Sequence, residues 1–65
     1  MRLDLVETHV LNLLGGRVRH FRLMATAGGV ILQGHAPTYY AKQLAQHAVM
    51  AATGCTIIAN DIEVS

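Results

Sequence analysis

The stretch "FRLMATAGGVILQG", residues 21–34, decides how this chain is read. Phe21, Leu23 and Ala25 alternate with Arg22, Met24 and Thr26, while Val30, Leu32 and Gly34 alternate with Ile31, Gln33 and His35. Two runs of period 2 on either side of a glycine-rich knot predict a β-hairpin. The tightest turn uses Ala27-Gly28, but a type I′ turn asks for positive φ at both positions, which Gly28 takes easily and Ala27 does not. A turn of three or four residues that includes Gly29 therefore competes with it. In the tight register Ala25 faces Val30, Leu23 faces Leu32 and Phe21 faces Gly34. On the other side Met24 faces Ile31, Arg22 faces Gln33 and His20 faces His35. Gly34 then leaves room for the Phe21 ring to lie across its backbone.

Upstream, "DLVETHVLNLLGG" (residues 4–16) places Val6, Val10, Leu13 and Leu14 at i, i+4, i+7 and i+8, one face of a helix. Asp4 suits its N-cap or first turn, and Gly15-Gly16 its left-handed end. Leu5 and Leu11 widen the apolar stripe and predict a well-buried helix. Downstream, "APTYYAKQLAQHAVMAATG" (residues 36–54) is a second helix capped by Thr38 and ended by Gly54. Its inner stripe is Ala41, Leu44, Ala45, Ala48 and Ala52. "CTIIANDIEV" (residues 55–64) alternates Ile58, Asn60, Ile62 and Val64 against Ile57, Ala59, Asp61 and Glu63, a third strand. The expected fold class is α+β, an αββαβ two-layer sandwich with both helices on one face of a three-stranded sheet. A right-handed crossover should lay the third strand beside the first.

Composition bounds the function. At 65 residues the chain is one domain, 1–65, near the lower limit for folding unaided. It is 52% hydrophobic and 14% charged, far from a disordered composition. Cys55 is the only cysteine, so neither an internal disulfide nor a cysteine-based zinc cluster is available. A net charge of +1 is too mild to imply nucleic acid. No apolar run approaches a membrane span of roughly 18 residues, and "MRLDLVETHVLNLL" does not read as a signal peptide. The expected location is cytoplasmic or peripheral to a membrane, or periplasmic if the chain is excised from a longer exported protein.

The chain resembles the BON domain, a small bacterial module named for osmotic-shock and nodulation proteins. The resemblance rests on the hairpin "AGGVILQG", the helix "TYYAKQLAQHA" and the strand "TGCTIIANDIEV", and it covers nearly the whole chain. Gly28, Gly29, Gly34, Gly54 and Asn60 stand at the family's turn and motif positions. Ala27 replaces the family's usual acidic residue or asparagine before the turn glycine, Tyr40 and Lys42 stand where an arginine is common, and Cys55 replaces a typical valine. The resemblance implies a non-catalytic module that binds phospholipid surfaces or docks a protein partner.

The residues themselves point to two surfaces. "RVRHFR" (residues 17–22) clusters Arg17, Arg19 and Arg22, which either contact an anionic lipid surface or stand as solvated ends pairing with Asp61 and Glu63. The uncovered sheet face should present Met24, Ile31, Ile57 and Ala59, either as a partner or homo-oligomer interface or as a mildly apolar solvated surface. The alternative to lipid binding is therefore an assembly domain acting through that face. His9, His20, His35 and His47 lack ligand spacing, so no metal is expected, nor any other cofactor. Asp4, Glu7, Asp61 and Glu63 read as solvated, and Cys55 as a small core residue, so no enzyme is expected. Tyr39 and Tyr40 suit a membrane interface by type, but packing at the core edge and over the loop is the favoured role. No GxxG loop precedes a helix, so nucleic acid is not an expected partner.

Overall fold

The computed structural model describes residues 2–65. In chain order the elements are α1 (Leu3–Leu14), β1 (Arg19–Thr26), β2 (Gly29–Ala36), α2 (Tyr39–Thr53) and β3 (Ile57–Val64). One apolar cluster joins Val10 and Leu14 of α1, Phe21 and Leu23 of β1, Val30 and Leu32 of β2, Ala45 and Val49 of α2, and Ile62 of β3. Both helices therefore cover the same face of the sheet, and the α+β sandwich stands as expected.

Strand order differs from the sequence reading. The sheet runs β1-β2-β3, with β1 antiparallel and β3 parallel to β2. Two features exclude β3 from the side of β1. Leu23 of β1 donates its backbone N–H to Glu7 Oε2 of α1 at 2.8 Å, so that edge is already occupied. The links Pro37–Thr38 and Gly54–Thr56 are also short, and a βαβ unit with short links returns to the neighbouring strand.

The helix ends follow local chemistry. Thr38 Oγ1 accepts the Ala41 N–H at 3.1 Å, and Gly54, at φ 67°, closes α2 by donating to the Met50 carbonyl. Gly15 closes α1 at φ 60°. Asp4 is a first-turn acid rather than the N-cap, which is Arg2. Leu5 and Leu13 point to solvent, at 61% and 62% exposure, so α1 is buried along Val10 and Leu14 only, with Val6 and Leu11 flanking. The α2 stripe is Ala41, Ala45 and Val49, and Ala52 lies outside it. Two alanines let α2 approach the sheet closely. Asn60 then ties β3 to α2, its Nδ2 donating to the Lys42 carbonyl and to Gln46 Oε1, both at 3.2 Å.

Two bulges set which side chains face out. The hairpin turns tightly on Ala27-Gly28 and keeps the expected register from Thr26↔Gly29 to Arg22↔Gln33. Beyond that, Arg19 pairs with His35, so His20 and Phe21 together oppose Gly34, and His20 does not face His35. His20 has φ 55° there. A Cβ on Gly34 would lie 3.0 Å from the Arg19 carbonyl oxygen and 3.3 Å from Phe21 Cα, so Gly34 admits the bulge backbone rather than a ring. In β3 the partner shifts from Val30↔Ile57 to Ile31↔Ala59, leaving Ile58 as the extra residue. Ile57 consequently turns inward and packs against the core, which removes it from the predicted open-face set.

Neither Ala27 nor Gly28 needs positive φ; Gly29 does, at 156°. A Cβ there would collide with the Thr56 carbonyl oxygen, which also accepts the Val30 N–H at 2.9 Å. At Gly28 the nearest obstacle is only the tip of Ile58, at 3.2 Å. Gly29→Ala should cost about 1–3 kcal/mol or more through backbone strain and the collision, while Gly28→Ala shifts the urea midpoint little. Equal midpoints for the two variants would show that the crossing at Thr56 does not constrain the sheet.

Candidate functional site

The sheet face away from the helices carries ordered rows, read across β1, β2 and β3. Met24, Ile31 and Ala59 form the row nearest the hairpin; Arg22, Gln33 and Asp61 form the next; Arg19, His35 and Glu63 form the last. Each row follows from pairing, because directly opposed residues project from the same side. The face therefore grades from apolar at the hairpin to charged at the far end, with basic groups on β1 and acidic groups on β3.

Two shallow depressions flank His35 at the charged end. One, about 230 Å³, is lined by Arg17, Arg19, His35 and Pro37 among others. The second, about 340 Å³, lies between His20, Gln33, His35, Asp61 and Glu63. His35 Nε2 is 3.1 Å from Glu63 Oε2, and the His20 and His35 rings meet edge-on with centroids 6.2 Å apart. His20 reaches this position through its positive φ, a conformation that non-glycine residues seldom adopt.

The predicted arginine cluster divides. Arg17 and Arg19 share the first depression, and among the described residues neither forms an ion pair. Arg22 instead lies 3.7 Å from Glu7 Oε2. The reading in which the arginines pair with Asp61 and Glu63 finds no such pair among the described residues: Arg22 lies beside Glu7, and Glu63 beside His35. Glu7, read from sequence as solvated, has a side chain only 20% exposed and caps the edge of β1. Its signal in the sequence was its place on the helix face carrying Val10 and Leu14, since seven residues later on a helix lies nearly underneath. The Arg2 guanidinium, 2.7 Å from Asp4, holds that exposed carboxyl below its ordinary value.

Met24, Ile31 and Ala59 remain together on the open face, Met24 being 48% exposed. Cys55 is half-buried against the core. Tyr39 and Tyr40, expected to pack, are 64% and 67% exposed at the start of α2; Tyr39 only accepts a hydrogen bond from Gln43 Nε2 at 2.7 Å. Among the described residues no group of three histidine, cysteine or acidic side chains is arranged to hold a metal, and no polar side chain is fully buried. No helix is long and apolar enough to cross a membrane.

No protein-family model matches the chain, and no curated protein or solved structure matches it.

The strain at His20 has a measurable consequence. A left-handed conformation costs an L-residue about 1–2 kcal/mol, and glycine gives back about 0.5–1 kcal/mol in unfolded-chain entropy. His20→Gly should therefore stabilise the fold by about 0.5–1 kcal/mol in urea unfolding. A destabilised variant would mean that the His20 ring contributes more packing than its backbone costs.

Proposed function

We propose that this chain is a non-catalytic binding module that contacts an anionic phospholipid surface through Arg17 and Arg19. The observation that carries the reading is the basic depression itself: two arginines without an acidic partner among the described residues share one concavity with His35. Pro37 lines the same concavity, and the exposed rings of Tyr39 and Tyr40 follow it in the chain. Tyrosine suits the headgroup depth of a bilayer, having an apolar body and a polar tip. The resemblance to the BON domain supplies the choice of lipid over other anions.

Each basic residue near an acidic membrane contributes about 1 kcal/mol, so the association is weak and screened by salt.

Co-sedimentation with phospholipid vesicles tests this directly. The chain should pellet with anionic vesicles and not with neutral ones, less so as salt rises. Arg17→Glu combined with Arg19→Glu should abolish pelleting, while Arg22→Glu, already engaged by Glu7, should reduce it less. Failure to pellet with anionic vesicles at low salt would refute the reading.

A further inference from the structure

We infer that the open sheet face pairs with the same face of a second copy of this chain, about a two-fold axis running close to β2. The rows on that face are complementary to themselves in this one arrangement. Rotation about an axis along β2 lays β1 of one copy over β3 of the other and keeps each row in place. Arg22 then meets the partner's Asp61, Arg19 meets the partner's Glu63, and long Met24 meets short Ala59. Each contact occurs twice. Ile31, Gln33 and His35 meet their own copies along the axis.

The competing face-to-face arrangement has its axis across the strands. It would set Arg22 on Arg22 and Asp61 on Asp61, and would drive Ile31 against His35. Like charges in direct opposition exclude it, so the charge pattern selects orientation as well as partner. Neither arginine must abandon a buried ion pair. Arg22 is 72% exposed at the side chain and only 3.7 Å from Glu7, which keeps its bond to the Leu23 amide. Glu63 is likewise 74% exposed while it holds His35.

Size sets the strength. Three strands of 8 residues span a face of about 26 Å by 14 Å at ordinary strand dimensions. Two such faces together make only about 730 Å² in outline, below the roughly 1,200 Å² at which specific, stable interfaces begin. The dimer is therefore weak and concentration-dependent, and salt loosens it further. Such a pairing covers Met24, which is 48% exposed, and completes the cover of half-buried Ile31.

Sedimentation equilibrium at low salt tests the pairing, with variants at Arg22 and Asp61 so that the Arg17 and Arg19 depression stays intact. Arg22→Glu and Asp61→Arg should each weaken the wild-type dimer about tenfold, since each turns two attractions into repulsions. Mixed in equal amounts, the two variants should form a heterodimer to within about threefold of wild-type affinity, because each altered charge then meets its opposite. Improperly folded variants could not complement one another in this way. In a Cys55→Ser background, Gln33→Cys should cross-link to its own copy through a short bismaleimide that spans the roughly 10 Å between facing sheets, which needs neither charge variant. A wild-type chain that stays monomeric up to about 1 mM, a dimer indifferent to both charges, or a Gln33→Cys variant that does not cross-link would overturn the proposal. Vesicle binding by a monomer would leave the lipid reading standing while this one fell.

Discussion

The Glu7 carboxylate reaches from α1 to the backbone of β1, where Oε2 accepts the Leu23 N–H at 2.8 Å. An edge strand leaves every second amide unpaired, and such an edge recruits strands from anywhere. A hydrogen bond from an amide to a largely buried carboxylate contributes about 1.5–3 kcal/mol, a large share of what a domain this small can have. The same contact fixes α1 along β1. With that side taken, β3 has one place to go, beside β2, and the order β1-β2-β3 follows.

From that order comes the composition of the open face. β2 lies in the middle, so basic β1 and acidic β3 stand on opposite flanks with Gln33 and His35 between them. Had β3 joined β1, Arg22 and Asp61 would have been neighbours and would have neutralised each other within one chain. The two bulges complete the arrangement. The one at His20 brings both histidines to one depression, and the one at Ile58 sends Ile57 into the core while Ala59 stays outside. Gly34 and Gly29 are the positions where neighbouring backbone comes too close for a side chain. Their presence in the hairpin reflects the geometry of the whole sheet rather than of the turn.

Much of this was legible in the residues. Alternation located all three strands, Thr38 and Gly54 bounded α2, and the hairpin register held from Thr26 to Arg22. Strand order was only half legible: the short links around α2 pointed to a place beside β2, but the bond from Glu7 that closes the other edge came from a residue whose charge suggested solvent. The inward turn of Ile57 was hidden too, since a bulge changes face without changing composition. Leu5 and Leu13 misled by hydrophobicity alone: the helix is covered on one side only, and these residues fall beyond it. At the candidate site, the pairing of Arg17 with Arg19 was legible from spacing. The diversion of Arg22 to Glu7 required the tertiary fold.

The central claim is that α1 closes the edge of β1 through Glu7, and amide hydrogen exchange at Leu23 measures it. In the wild-type chain the Leu23 amide should exchange as slowly as the paired amides of β2. Glu7→Ala should speed it at least about tenfold, the equivalent of losing about 1.4 kcal/mol of protection. A wild-type Leu23 amide that exchanges like a free edge amide would contradict the account.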